Sequence, residues 1–288
     1  YTAGSDGGSQ WFGASCVVDI NNSSFVNNSS GGDGGGVFCQ YGCSLDVNDS
    51  SFTGNLADGY YGSGGGIYWD YQGTVAISNS KFVDNESTFG GGLYWYGEDS
   101  NVAISNCIIK DNAAADHGGG LYWSKGAPKI KGCTIIGNMS EGPFVSPDGG
   151  GLYGGGGGIF SWSSDATIED CYISRNLTLG SGGGVYFGGD TGSPTLRNCL
   201  VGENSALLNG GGVVSYWLAR PTISNCTIVD NIAYDPAKPT QRKGGGLACS
   251  YESKTVLIDS ILWGNTAAIG SEIAIGSVNE PNLMQWPA

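Results

Sequence analysis

Apolar and polar residues alternate in short runs along this chain, and the runs return at a spacing of 26 to 38 residues. Each run holds a Ser or Cys, an apolar residue two positions later and an asparagine five positions later, as in Ser50, Phe52 and Asn55. The nine asparagines are Asn28, Asn55, Asn85, Asn112, Asn138, Asn176, Asn204, Asn231 and Asn265. A repeat of this length is typical of a solenoid, in which each unit buries its apolar face by stacking on the next unit.

The repeating unit has the composition of β-structure. Ala, Leu, Glu and Lys are sparse in the repeats, whereas Gly, Ser, Asn, Val and Ile are frequent. Helical-hairpin repeats also hold their length more tightly than these units do. We therefore expect each unit to form one coil of three short strands that are separated by corners.

Three columns of aligned residues define the coil. The first follows a glycine triplet, such as Gly64 to Gly66, and consists of Val37, Ile67, Leu93, Leu121, Ile159, Val185, Val213 and Leu247. The second consists of Ile20, Val47, Ile77, Ile104, Ile130, Ile168, Leu196, Ile223 and Leu257, and we expect both columns to face the interior. The third contains only Asn, Asp and Gly, which adopt a left-handed backbone most readily: Asn22, Asp49, Asn79, Asn106, Gly132, Asp170, Asn198, Asn225 and Asp259. It predicts a corner, and the column of repeat asparagines predicts a ladder of side-chain amides along the stack.

These repeats resemble a known family. The glycine triplet with its aliphatic neighbour and the F-x-x-N phrase are similar to repeats of bacterial polymorphic outer-membrane proteins and related secreted β-helix proteins. The resemblance covers residues 16–275 and implies an all-β fold, a right-handed parallel β-helix of about nine to ten coils. We expect residues 1–15 to be an irregular N-terminal segment and residues 276–288 a C-terminal tail. Because β-helices carry adhesins, polysaccharide lyases, glycosidases and filaments alike, the resemblance implies no single activity.

The charge balance disfavours two classes of partner. The chain of 288 residues has 26 acidic and 12 basic side chains and a net charge of −14. This charge repels nucleic acid and anionic lipid, so we expect neither as a partner. Membrane insertion is not expected either, since no apolar run approaches the length of a bilayer-spanning helix.

Eight of the nine cysteines fall into two groups. Five of the nine occupy one position in consecutive coils, where the other coils have Ser: Cys107, Cys133, Cys171, Cys199 and Cys226. We expect them to be free buried thiols, because parallel Cβ vectors about 4.8 Å apart do not suit a disulfide. Cys16, Cys39 and Cys43 cluster in the first coils, and we expect one disulfide among them.

An aromatic column directly follows the first aliphatic column. It consists of Phe38, Tyr68, Tyr94, Tyr122, Phe160 and Tyr186. Strand alternation turns this position outward if the aliphatic residue points inward, and it returns Trp69, Trp95, Trp123 and Phe187 to the interior. Six stacked outward rings form a flat stripe that binds glycans or a host or cell-surface protein. Two alternatives stay open: the stripe is only a structural ladder, or the alternation is inverted and the tyrosines are buried.

Candidate chemistry is sparse. The sequence shows no phosphate loop, nucleophile triad or Cys/His metal spacing, so we predict no catalytic residue and no cofactor. We expect His117, beside a glycine triplet, to be a solvated turn residue. Asp84 and Asp111 stand in adjacent coils and form at best a weak structural calcium site.

Two insertions leave the coil at one corner, at residues 139–155 and 232–243. The second insertion carries Lys238, Arg242 and Lys243, the one cluster of cations in the chain. Because irregular loops on a regular scaffold often bind ligands, we predict a recognition edge there, although tolerated insertion without a ligand is an equal alternative.

The two end segments contain no helical pattern that caps a solenoid. We therefore expect an extracellular, non-enzymatic structural or adhesive solenoid that associates head to tail into filaments or forms part of a surface adhesin. The alternative is a polysaccharide-binding or polysaccharide-degrading protein, a lyase or glycosidase.

Overall fold

The computed structural model describes residues 2–3, 8, 10–13, 15–97, 100–142 and 154–276. Over these residues the chain winds through short strands, and every strand pairs in parallel with the equivalent strand of the next coil. The described part of the chain contains no α-helix. The expected all-β parallel solenoid is confirmed.

Each coil passes through four sheets, which we number I to IV from the glycine triplet onward. Sheet I has ten strands: Gln10–Phe12, Val37–Cys39, Ile67–Asp70, Leu93–Tyr96, Leu121–Ser124, Ile159–Trp162, Val185–Gly188, Val213–Ser215, Leu247–Cys249 and Ile273–Ile275. Sheet II has nine: Val17–Asn21, Ser44–Asn48, Gly73–Ser78, Ser100–Ser105, Lys129–Lys131, Thr167–Glu169, Thr195–Arg197, Thr222–Ser224 and Val256–Ile258. Sheet III has nine: Ser24–Val26, Ser51–Thr53, Lys81–Val83, Ile108–Lys110, Thr134–Ile136, Tyr172–Ser174, Leu200–Gly202, Thr227–Val229 and Ile261–Trp263. Sheet IV has ten: Thr2–Ala3, Ser29–Ser30, Leu56–Ala57, Glu86–Phe89, Ala113–His117, Met139–Ser140, Leu177–Thr178, Ser205–Ala206, Ile232–Ala233 and Thr266–Ala267.

The sequence predicted three strands in each coil, and the structure has four. The difference arises at the F-x-x-N phrase, because the residue before the ladder asparagine adopts a left-handed backbone, with φ of 54° at Asp84 and at Asp111. This conformation ends the strand of sheet III and turns the chain into the short strand of sheet IV.

The predicted corner between sheets II and III is confirmed. All nine residues of the Asn, Asp and Gly column have positive φ, from 44° at Asp259 to 63° at Gly132. These residue types therefore stand where the fold requires a left-handed backbone.

Both aliphatic columns line one continuous core. Every member of the first column is buried, and the second column is buried from Ile20 to Ile223, with Leu257 half-buried in the last described coil. Aromatic rings stack in the same core, including Phe52 on Phe82 at 4.8 Å and Trp95 on Trp123 at 4.9 Å. Burying these faces is the main stabilising contribution, because a single coil has no core of its own.

The asparagine ladder is also confirmed. Asn138 Nδ2 donates to the carbonyl oxygen of Ile109 and to Oδ1 of Asn176, both at 2.9 Å. Its Oδ1 accepts from the backbone N–H of Asn112 at 3.0 Å and from Asn112 Nδ2 at 2.9 Å. The same four bonds recur at each rung from Asn55 to Asn231, so these buried amides are fully paired.

The third glycine of each triplet leaves room for this ladder. A Cβ atom on Gly158 would lie 2.7 Å from the carbonyl oxygen of Gly184 and 3.0 Å from Asn176 Nδ2. Register aligns Glu272 with the third glycine in the last described coil. There its Oε2 accepts a hydrogen bond from Asn265 Nδ2 at 2.5 Å. Glu272 thus supplies the acceptor that another ladder asparagine supplies in the preceding coils.

The thiol column is confirmed and the predicted disulfide is wrong. The five column cysteines are buried and form no disulfide, and Cys171 N–H donates to Cys199 Sγ at 3.4 Å. No disulfide joins Cys16, Cys39 and Cys43. The Cys43 thiol instead donates to the carbonyl oxygens of Gly13 at 2.7 Å and Gln40 at 3.0 Å, while Cys39 lies in the core.

Candidate binding surfaces

The aromatic column on sheet I is a continuous stack. Successive ring centroids from Phe38 to Tyr186 are 5.0, 5.1, 4.8, 5.0 and 4.7 Å apart, with interplanar angles of 6° to 19°. The column points away from the core, because its neighbours on both sides of the strand, such as Ile67 and Trp69, belong to the core. The expected stacking and strand alternation are therefore correct.

The column is not the exposed stripe that the sequence predicted. Phe38, Phe160 and Tyr186 are buried, and Tyr68, Tyr94 and Tyr122 are half-buried. Residues that precede the glycine triplets fold back over these rings. The Phe89 ring lies 5.8 Å from that of Tyr122, and the His117 ring lies 4.5 Å from that of Phe160. A second apolar layer thus covers part of sheet I on its outer side.

His117 is part of this cover and is not a solvated turn residue. Its ring stacks on Phe160, and its Nδ1 lies 2.8 Å from Asp116 Oδ1 in a contact that is mostly shielded from solvent. The sequence pattern could not reveal this packing, because the covering residues belong to sheet IV.

Two carboxylates act on the half-buried Tyr68. Tyr68 Oη donates to Asp70 Oδ2 at 3.1 Å, and Asp70 Oδ1 accepts from the Tyr41 N–H at 3.2 Å. The second carboxylate is that of Asp33, whose Oδ1 accepts from the Ser63 N–H at 2.7 Å. Burial, followed by the charges of Asp70 and Asp33, raises the pKa of Tyr68 far above its ordinary value. The Tyr68 hydroxyl therefore stays protonated and acts as a hydrogen-bond donor at physiological pH.

The predicted cation cluster in the loop at 232–243 does not form as a surface patch. Arg242 is buried and pairs through Nη2 with Asp235 Oδ2, while Asp235 Oδ1 accepts from the Ala237 N–H at 2.8 Å. Lys238 is exposed and Lys243 is half-buried. Arg242 therefore holds the loop in shape. Of the other insertion, residues 143–153 lie outside the described residues.

The weak calcium site expected at Asp84 and Asp111 gains no support from the described residues. Asp111 Oδ2 forms a surface ion pair with Lys110 Nζ at 3.2 Å. Among the residues that the structure describes, no group of three or more His, Cys, Asp or Glu side chains is arranged to hold a metal ion.

Sequence reasoning missed a different set of aromatic residues, in the turn between sheets I and II. Tyr41 and Tyr71 are exposed there, and their rings stack at 5.4 Å. Trp217 is exposed at the same turn further along the solenoid, beside the Tyr251 ring at 6.1 Å. These residues lie beyond the ends of the sheet I strands, where the residue type changes from coil to coil, so the repeat gives no signal for them.

Comparison with known proteins identifies one sequence family. A family described as a right handed beta helix region matches residues 10–153 and 60–260. No curated protein and no solved structure matches the chain. In the described residues, no helix is long and apolar enough to cross a membrane.

Proposed function

Because the chain belongs to the right-handed β-helix family, we propose that it is a non-enzymatic extracellular β-solenoid with a structural or adhesive role. The observation that carries this proposal is the uninterrupted asparagine ladder. Fully paired amides in coil after coil favour a rigid rod, on the order of 40 Å long at about 4.8 Å per coil. A rigid rod is better suited to the display of loops and turns than to catalysis in which an active site must close over its substrate.

The extracellular location is part of the proposal. It follows from the resemblance of the repeats to those of secreted β-helix proteins. The five column thiols are compatible with an oxidising environment, since their burial limits access of oxidants.

We further propose that copies associate end to end. The last described coil carries several exposed apolar side chains, among them Ile261, Trp263 at 73% exposure and Ile275 at 82%. Glu272 already occupies the acceptor position of the next rung, so association at this end uses the apolar rim and does not extend the amide ladder.

Electron microscopy and sedimentation velocity at several protein concentrations test this association. We expect end-to-end chains of rods that lengthen with concentration, and Ile261→Lys should shorten them. Ile108→Lys is the matched control, because Ile108 occupies the same outward column of sheet III in an earlier coil. Single rods at all concentrations, or equal shortening by both variants, would refute end-to-end association through this rim.

A second candidate function is polysaccharide binding or cleavage on sheet I. The observation that favours it is the half-buried Tyr68 hydroxyl, which donates to Asp70 and feels the charge of Asp33, because carboxylates and hydroxyls are the groups that hydrolases and lyases use. Reducing-end assays with xylan, cellulose and polygalacturonate test it. Product formation that Asp70→Asn abolishes would establish cleavage and overturn the non-enzymatic proposal.

A further inference from the structure

The turn between sheets I and II places aromatic side chains in solvent. Tyr41 is 54% exposed, Tyr71 is 47% exposed and Trp217 is 39% exposed, while Tyr251 is half-buried. We call these four residues, together with Tyr96 at the end of a sheet I strand and Lys125 in the turn, the turn edge.

The backbone of the turn edge is unusual for aromatic residues. Tyr41, Tyr71, Trp217 and Tyr251 have φ of 50°, 58°, 50° and 51°, in the left-handed region that bulky residues rarely adopt. The corner between sheets II and III meets the same requirement with Asn, Asp and Gly in all nine coils. Asn, Asp or Gly would adopt this backbone with less strain. Exposed aromatic residues at a strained position therefore point to a role other than stabilising the fold.

The turn edge is organised into two clusters along the solenoid axis. In the first, the Tyr41 and Tyr71 rings stack, Tyr96 meets Tyr71 edge-on at 5.9 Å, and Lys125 Nζ lies 5.9 Å from the Tyr96 ring centre. In the second, Trp217 and Tyr251 lie five and six coils beyond Tyr71. Tyr71 and Trp217 are therefore separated by roughly 25 Å along the axis, at about 4.8 Å per coil.

Backbone groups at this turn are engaged within the solenoid. The Tyr71 N–H donates to the Tyr96 carbonyl oxygen at 2.7 Å, and the Leu218 N–H donates to that of Tyr251 at 2.9 Å. The Tyr41 N–H donates to Asp70. A partner cannot bind here as an added β-strand, so side-chain rings and hydroxyls make the contact.

We propose that the turn edge binds a neutral polysaccharide chain that runs along the solenoid axis. Tyrosine and tryptophan offer an apolar ring and a polar tip, which match the apolar C–H faces and hydroxyl groups of sugar rings. Two clusters on one edge fit a linear partner with repeated units, which gains affinity by engaging both. The net charge of −14 opposes a polyanion. This assignment rests on the adhesive part of the proposed function and names its ligand.

Affinity gel electrophoresis of the full chain in hydroxyethylcellulose, xylan, galactomannan and polygalacturonate tests the assignment. We expect at least one neutral polysaccharide to retard the protein. The double variant Tyr41→Asn, Tyr71→Asn should bind that polysaccharide at least 10-fold more weakly. Because Asn accepts a left-handed backbone, this variant should keep or raise the thermal midpoint, which separates lost binding from lost fold.

A matched control removes two exposed tyrosines from another loop. Tyr60→Asn, Tyr61→Asn should leave binding unchanged, since both rings are exposed but lie outside the turn edge. Trp217→Asn should weaken binding at least 3-fold, because the second cluster then no longer contributes. Three results would overturn the assignment: none of the neutral polysaccharides retards the protein, polygalacturonate alone retards it, or the Tyr41 and Tyr71 variant binds as the native protein does. Particle shape in electron microscopy reports on the scaffold proposal independently of any glycan.

Discussion

Removing one internal rung of the asparagine ladder should destabilise the solenoid strongly. Asn138→Ala deletes four buried side-chain hydrogen bonds and leaves the N–H and one Nδ2 hydrogen of Asn112 without acceptors. At about 1 kcal/mol net for each buried hydrogen bond, the loss is about 4 kcal/mol. The midpoint of urea unfolding, followed by circular dichroism, should fall accordingly.

Asn28→Ala is the matched control for this prediction. Asn28 lies in the first coil of the ladder, and its side chain donates to Asn55 Oδ1 at 2.8 Å. Its loss should cost only about 1 kcal/mol. Because solenoids can unfold in parts, hydrogen exchange should locate the weakened region around Asn112 and Asn138 in the first variant. Equal midpoints for the two variants would refute the reasoning that paired buried amides hold the coils together.

Three further outcomes follow from the same structure. Hydrogen bonding to the preceding column thiol, together with burial, raises the pKa from 9.0 to about 12 at Cys133, Cys171 and Cys199. These thiols therefore make their full contribution to the free energy of unfolding below pH 9.0, and that contribution is lost as the pH rises towards about 12. Because burial and the raised pKa keep the thiols protonated, the native protein should resist a disulfide reagent at pH 8, whereas the urea-unfolded protein should react at once. Gly158→Ala should cost about 3 kcal/mol in urea unfolding, because its methyl group would meet the Gly184 carbonyl; an unchanged midpoint would contradict the packing. Glu272→Ala should leave one Nδ2 hydrogen of Asn265 without an acceptor, while the other still donates to the Ile228 carbonyl oxygen, and should speed amide exchange in the last coil. Exchange at the native rate would exclude a capping role.

Most of the fold follows from features that repeat locally. The nine corner residues are Asn, Asp or Gly because the backbone there is left-handed, and both aliphatic columns alternate with outward residues because strand side chains alternate. The ladder asparagines recur because each buried amide needs another amide above and below it. Each of these requirements acts on one position in every coil, so a single sequence displays it many times.

The candidate surfaces depended on contacts between different parts of the coil. Strand alternation correctly turned the Phe38 to Tyr186 column outward, but residues such as Phe89 and His117 cover it from sheet IV. Arg242 looked like a surface cation until the fold of its loop placed it against Asp235. The disulfide expected among the first cysteines failed because spacing in sequence does not give the direction of a thiol.

The sequence by itself determined the solenoid, its corners, its core columns and its amide ladder, because each of these is a periodic demand on residue type. Only the tertiary structure decided which aromatic residues reach solvent. That outcome depends on which loop folds over which strand, and on the left-handed turn that holds Tyr41 and Tyr71 outward. The cover does not repeat strictly from coil to coil, and the residue type at the turn changes although its backbone recurs. The periodicity of the sequence therefore does not predict which aromatic residues are exposed.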